Sequence, residues 1–251
     1  MLVRQQMGEK VTLVTGASSG IGRATASALA ENGHSVALAS RSEDELQRIV
    51  DDIETETEAE AIAIPTDVTE ESQVEAMIQA VVDEFGRLDA VVSNAGLALS
   101  GDVESMPTDH YKTMMGVNCD GMFYTARAAI PHLRESSGTI VFTGSIAGKY
   151  PRGTSPVYAA SKWWTRGFAL SLSAQIGDED IGVTVIDPSE VRTNFNSQEG
   201  TAFEDAFDEG EVTEPEDVAD AVIYALSQSN RNTVAELDLY RKDKLEDMEL
   251  G

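Results

Sequence analysis

The sequence predicts one α/β domain, a doubly wound parallel sheet of about seven strands with helices on both faces. Three observations predict it. Short β-rich runs alternate with amphipathic helical stretches along the chain. The β-rich runs are almost continuously apolar, as strands buried on both faces must be. The first of them passes through a glycine-rich turn straight into a helical pattern. The 251 residues suffice for a single sizeable core. Residues 1–251 therefore read as one domain, with its core in 10–240.

The elements follow in order. Strand-like runs are VTLVTG from Val11, SVALAS from Ser35, AIAIP from Ala61, LDAVVS from Leu88, GTIVFTG from Gly138, IGVTVID from Ile181 and VAELDLY from Val234. Helical patterns lie between them, including Glu43 to Glu56, Glu71 to Phe85 and Glu216 to Ser227. In the last, Val218, Val222, Ala225 and Leu226 form the apolar face. No internal repeat and no linker interrupts the alternation. The one long stretch without a clear strand is 194–214, polar, acidic and glycine-punctuated. It reads as a loop with a short helix.

Composition narrows the function. Forty-four Asp plus Glu against 18 Lys plus Arg gives a formal charge of −26, and only six of the basic residues are lysines. That field argues against nucleic acid and anionic membranes as partners. An ordinary solvated acidic surface is the plain reading. The sharper one is adaptation to a salty cytoplasm, where molar salt shortens the Debye length to about 3 Å. No apolar run approaches the roughly 20 residues of a membrane span. The N-terminal residues carry no secretory apolar stretch, and the single Cys119 fits a reducing compartment. A cytoplasmic protein is expected.

The turn TGASSGIG places Gly16, Gly20 and Gly22 at the first strand–helix junction. Gly16 permits the tight turn, Gly20 lets the backbone approach a pyrophosphate, and Gly22 allows close helix–strand packing. The following helix start, through Ser18, Ser19 and Ile21, offers N–H groups and hydroxyls to phosphate oxygens. Glycines serving only a tight turn are improbable in that context. At the end of the second strand stand Ser40 and Arg41, where a carboxylate would select a ribose diol. The Arg41 guanidinium can instead pair with a 2′-phosphate, so NADP(H) is the expected cofactor. The plain alternative makes Arg41 a surface residue balancing Glu43 and Asp44.

Tyr158 and Lys162 lie four apart in a helical pattern and so share one face. A phenol titrates near 10; a neighbouring ammonium favours its phenolate. The pair could exchange a proton with an alcohol or carbonyl oxygen. Ser145 stands just beyond a strand, at the end of the sheet that faces a ligand crevice. Each residue alone has a bland reading: an exposed helix pair, a serine in a turn.

Together with TGASSGIG, the NAG at Asn94–Gly96, Asn118 in MGVNCDGMF, the YAASK from Tyr158 and DPSEVRT from Asp187, the chain resembles the short-chain dehydrogenase/reductase family in its single-domain form. The resemblance spans about residues 10–240. It implies a Rossmann-like domain in which Tyr158 is the acid/base and Lys162 lowers its pKa and holds the nicotinamide ribose. Ser145 would polarise the substrate carbonyl, and Asn118 would anchor a proton-relay water. Asn94, Ala95 and Gly96 would line the cofactor near the adenine ribose, with Asp67 on the adenine amino group and Val68 beside the ring. Thr193 and the backbone of Val191 would bind the carboxamide, close to Pro188. A small-molecule alcohol or carbonyl substrate and a homodimer or homotetramer are expected on the same ground.

Departures accompany the match. Pro188 is followed by Ser189 where the family usually has glycine, which adds a side chain near the nicotinamide. Ser19 stands where many NADP(H) members carry a basic residue, and Ser93 replaces an asparagine. The C-terminal stretch from Asn232 is loosely similar to a branch with hydroxy-acid and serine dehydrogenases, yet the acidic field argues against an anionic substrate. The substrate pocket is expected from Ala147, Tyr150, Ser189, Phe195 and the 195–212 loop.

Three scattered histidines give no metal spacing, and no metal is expected. Cys119 reads as packed, and Trp163 and Trp164 as core or interface residues. The resulting expectation is hydride transfer between NADP(H) and a secondary alcohol/ketone pair. A non-catalytic NADP(H)-binding regulator or scaffold is the alternative. A nucleotide-sugar epimerase or dehydratase fits less well, because its glycine spacing differs and its substrate domain is longer.

Overall fold

The computed structural model describes residues 10–195, 201–229 and 231–242. Among them seven strands form one wholly parallel sheet. The strands are β1 (Lys10–Thr15), β2 (His34–Ser40), β3 (Ala61–Pro65), β4 (Ala90–Ser93), β5 (Thr139–Thr143), β6 (Gly182–Pro188) and β7 (Glu236–Leu239). Their order across the sheet is β3-β2-β1-β4-β5-β6-β7. The order reverses between β1 and β4. A doubly wound sheet leaves its ligand crevice at the carboxyl ends of the strands beside that reversal.

Each strand matches one of the expected runs. β4 is shorter than LDAVVS, because Asp89 turns its carboxylate back to accept from the Val11 N–H at 2.9 Å. The helices are α1 (Gly20–Glu31), α2 (Glu43–Glu56), α3 (Glu71–Phe85), α4 (Thr108–Met115), α5 (Gly121–Ser136), α6 (Pro156–Ile176), α7 (Phe203–Ala206) and α8 (Pro215–Leu226). Strands buried on both faces require two cores, and two are present. One packs α3, α5 and α6 on the sheet through Phe142, Leu133, Met122 and Val81. The other packs α1, α2 and α8 through Leu38, Leu29, Leu46 and Val222. Burial of this kind, at about 25 cal/mol per Å², is the main stabilising term.

The apolar face expected for α8 is buried, joined by Ala219 and Ala221, while Tyr224 points to solvent. Within 194–214 the short helix is α7, and a parallel bridge joins Val191 to Thr213. Residues 196–200 of that loop and the acidic end 243–251 lie outside the described residues. No described helix is long and apolar enough to cross a membrane.

Candidate active site

The site is assembled from the carboxyl ends of β1, β4, β5 and β6. At β1 the chain turns through Gly16 with φ +67°, a conformation suited to glycine. A Cβ at Gly22 would collide with the Gly16 carbonyl, so the glycine is what lets α1 start against the turn. Ser19 is the N-cap of α1 but makes no side-chain capping bond, and the first turn holds no acid. A 12-residue helix with an uncapped N-terminus presents its free N–H groups and dipole to an anion. This chemistry fits a pyrophosphate. Ser18 and Ser19 are half-buried beside it, and Ile21 packs on the core.

Asn94 ties three strand ends together. Its Nδ2 donates to the carbonyls of Thr15 at 3.1 Å and Gly16 at 3.4 Å, and its Oδ1 accepts from the Thr143 hydroxyl at 3.1 Å. The Thr15 hydroxyl in turn accepts from the amides of Asn94 and Ala95. The glycine turn, the NAG segment and β5 are thereby one rigid floor. A Cβ on Gly96 would sit 3.4 Å from Asn118 Oδ1 and 3.6 Å from Lys162 Nζ. Gly96 therefore opens a space that both side chains face.

Asn118 is not in regular α-helix, as its surroundings predict, but in a π-helical turn over Gly116–Asp120 between α4 and α5. Such a turn inserts one residue and re-aims its side chains. Asn118 is fully buried. It accepts from the Leu97 amide at 2.9 Å and donates to the Leu97 carbonyl at 2.9 Å and the Ser161 hydroxyl at 3.0 Å. Both Nδ2 hydrogens are used, and Oδ1 keeps one lone pair toward Gly96.

Tyr158 and Lys162 share one face of α6. The Lys162 ammonium is buried, donates to the Thr143 carbonyl at 2.9 Å and stands 5.9 Å from the Tyr158 ring centroid. Burial lowers Lys162 to about 8, against the upward pull of Asp187. Burial raises Tyr158 to about 12, against the Ser145 hydroxyl, which draws it down. The expected lowering of the phenol by the ammonium is thus absent from the chain alone. Desolvation dominates, with Ser145 and Arg152 opposing it, and the phenol holds its proton at neutral pH. Ser145 accepts from the Ala147 amide at 3.1 Å, which leaves its O–H to donate, and the Tyr158 phenol oxygen is its partner.

Phe195 packs on Tyr158 with centroids 5.9 Å apart, and Phe203 and Phe207 continue the aromatic row. Phe203 and Phe207 lie in the 195–212 loop expected to line the pocket but were not singled out there, because an aromatic pair in an acidic loop has no periodicity to mark it. Thr193 is buried. Its hydroxyl donates to the Val191 carbonyl at 3.4 Å and accepts from the Phe195 amide at 3.2 Å. Gly20 approaches it so closely that a Cβ there would lie 2.9 Å from Thr193 Cγ2. Pro188 ends β6 beside Leu239, and Ser189 buries a hydroxyl that has no hydrogen-bond partner.

Of the residues expected around an adenine, Asp67 has its Oδ1 taken by the Thr69 amide and hydroxyl, at 3.0 and 2.7 Å. Val68 is buried against Gly121 at the start of α5. Ser40 Oγ accepts from the Ser42 amide at 3.2 Å. Arg41 is exposed and makes no ion pair with Glu43, Asp44 or any other described residue. The reading of Arg41 as a charge-balancing surface residue therefore has no contact behind it.

Cys119 is buried, and burial pushes its thiol up to about 11, so it is packed rather than reactive. Trp164 stacks on Phe168 at 4.8 Å, while Trp163 is exposed.

The chain belongs to the short-chain dehydrogenase family, whose family model matches residues 10–203. It is 37% identical over 232 residues to an uncharacterised oxidoreductase of Staphylococcus epidermidis, covering 92% of this chain and 96% of that one. A Staphylococcus aureus relative, also an uncharacterised oxidoreductase, is 35% identical with 91% and 96% covered. Among solved structures, an alcohol dehydrogenase from the archaeon Thermococcus sibiricus, complexed with 5-hydroxy-NADP, superposes with a TM-score of 0.85 at 30% identity, covering 92% and 96%. A 3-ketoacyl-(acyl-carrier-protein) reductase from Brucella melitensis, complexed with NADH, superposes with a TM-score of 0.83 at 28% identity and the same coverage. The protein is an NAD(P)-dependent oxidoreductase of this family.

Proposed function

We propose that the protein transfers hydride between NADP(H) and a secondary alcohol/ketone pair. The observation that carries this reading is the convergence of the Ser145 hydroxyl, the Tyr158 phenol and the Lys162 ammonium beside the glycine cradle. When bound, the nicotinamide supplies or accepts hydride at its C4. The residues of this chain handle the oxygen of the substrate. In reduction, the Ser145 O–H donates to the carbonyl oxygen and polarises it. The Tyr158 phenol, protonated at neutral pH, gives that oxygen its proton. The Lys162 ammonium stabilises the phenolate left behind. Asn118, facing Lys162 across Gly96, is placed to join a proton relay.

The NADP(H) preference rests on Arg41, an exposed guanidinium with no ion-pair partner among the described residues, at a strand end without a carboxylate. The test compares NADPH and NADH binding to the wild type and Arg41→Ala. NADPH should bind tighter, and the variant should lose roughly ten- to a hundredfold for NADPH alone. Equal binding of both cofactors by the wild type would overturn the preference.

Two further features belong to this reading. The acids of α2, at Glu43, Asp44, Glu45, Asp51, Asp52, Glu54 and Glu56, are all exposed, which supports adaptation to a salty cytoplasm. Tyr111, Phe123 and Trp163 are exposed aromatics on α4, α5 and α6, which supports a homodimer or homotetramer built on those helices.

A further inference from the structure

Behind Ser145 lies a carboxylate that the proposed proton transfer does not use. Asp187 ends the apolar run of β6 and is fully buried. Its Oδ1 accepts from the Ser145 amide at 2.8 Å. Gly144, one residue earlier, clears the way: a Cβ there would lie within the Asp187 carboxylate. A glycine just past the end of β5 and a buried acid on β6 are thus shaped to each other beside Ser145. The Asp187 Oδ2 has no hydrogen bond, and its charge is met by the Lys149 ammonium at 3.5 Å. Lys149 also pairs with Glu236 and Asp238 on β7, and Arg166 of α6 holds Glu236 from the other side at 2.6 Å. The three carboxylates of Asp187, Glu236 and Asp238 converge closely enough to hold a cation, and Lys149 is the cation they hold.

We propose that Asp187 is a positioning residue, which holds the Ser145 backbone through its amide. The proposal rests on the acid/base reading of Ser145, Tyr158 and Lys162 given above. The geometry explains the hold. Ser145 is fully extended, with φ −173° and ψ 155°, and its amide is anchored to the carboxylate while its side chain caps Ala147. The charged and titratable groups that face Asp187 are Lys149, Glu236, Asp238, Lys162, Tyr158 and Arg166. Burial pushes the Asp187 carboxyl up to about 6 even with Lys149 beside it. Its negative charge pulls Lys162 upward, toward the protonated form that stabilises a phenolate.

The test uses Asp187→Asn, Asp187→Ala and Lys149→Met, each read in two ways. The pH profile of kcat is measured for NADPH-driven carbonyl reduction. In parallel, ¹³C NMR follows the Asp187 carboxyl, assigned by its loss in Asp187→Asn. The asparagine keeps an acceptor for the Ser145 amide, so kcat near pH 6.5 should stay within about threefold. Asp187→Ala removes the acceptor as well and should lower kcat at least about tenfold at every pH, with little change in KM. Lys149→Met should raise the pH at which the Asp187 carboxyl titrates. Equal kcat in the alanine and asparagine variants would overturn the proposal. Wild-type protein that turns over no carbonyl defeats the function reading instead. The NMR titration then still reports Asp187, and a Lys149→Met titration identical to wild type overturns its pairing with Lys149.

Discussion

The Lys162 ammonium donates to the Thr143 carbonyl at 2.9 Å and stands 5.9 Å from the Tyr158 ring centroid. The last residue of β5 thus aims the lysine under the phenol. Burial lowers Lys162 to about 8. A group that works as the cation loses its effect as pH rises through that value. The kcat of carbonyl reduction should therefore fall on the alkaline side near pH 8. Lys162→Met should reduce kcat by about 10²–10⁴-fold and erase that limb. Steady-state rates between pH 6 and 10 check both.

Gly22 packs so that a Cβ would collide with the Gly16 carbonyl and lie 2.7 Å from Asn94 Nδ2. Gly22→Ala should cost about 1–3 kcal/mol of stability, the range for overpacking. It should also weaken cofactor binding, because Asn94 links the glycine turn to β5. Chemical denaturation in molar KCl and a cofactor titration measure the two effects.

His34 is fully buried. Its Nδ1 lies 2.8 Å from the Thr12 hydroxyl, and its Nε2 has no partner. Burial, with Lys10 adding to it, lowers His34 from its ordinary 6.5 to about 4. The folded protein therefore keeps His34 neutral where the unfolded chain would protonate it. That stability is complete above about pH 6.5 and is lost as pH falls toward 4, on the order of 3 kcal/mol in all. The fall in Tm between pH 7 and 4.5 should be shallower for His34→Gln than for the wild type.

Much of this architecture was legible in the sequence. The seven β-rich runs are the seven strands, and α2 and α3 begin and end where their patterns do. Apolar runs bounded by glycine and acids leave little choice of strand position. Gly16, Gly20, Gly22, Asn94, Ser145, Tyr158 and Lys162 are brought together because each sits at a strand end or on one helix face. Less was legible where chemistry depends on contacts between distant segments. Asp187 was visible only as part of DPSEVRT, and no spacing places it under Ser145 across 42 residues. A carboxylate closing an apolar strand was the available signal. The π-helical turn at Asn118 has no propensity signature, and the aromatic row of Phe195, Phe203 and Phe207 lies in an acidic loop. The balance of burial against charge at Tyr158 cannot be read without its surroundings.

The charge of −26 should make stability depend on salt. At low ionic strength the exposed acids of α2 repel one another, and about 1 M salt screens them to about 3 Å. The Tm should rise steadily between 0.1 and 2 M KCl. A Tm independent of KCl would leave an ordinary acidic surface.

The most direct test of the account compares wild type and Tyr158→Phe in 2 M KCl. NADPH affinity and NADPH oxidation would be measured with a panel of aliphatic, aromatic and α-dicarbonyl ketones and aldehydes. The wild type should turn over one or more ketones, and both proteins should bind NADPH equally. The variant should lose at least about 10²-fold in kcat. Turnover of the variant at the wild-type rate would contradict the assignment of the proton to Tyr158.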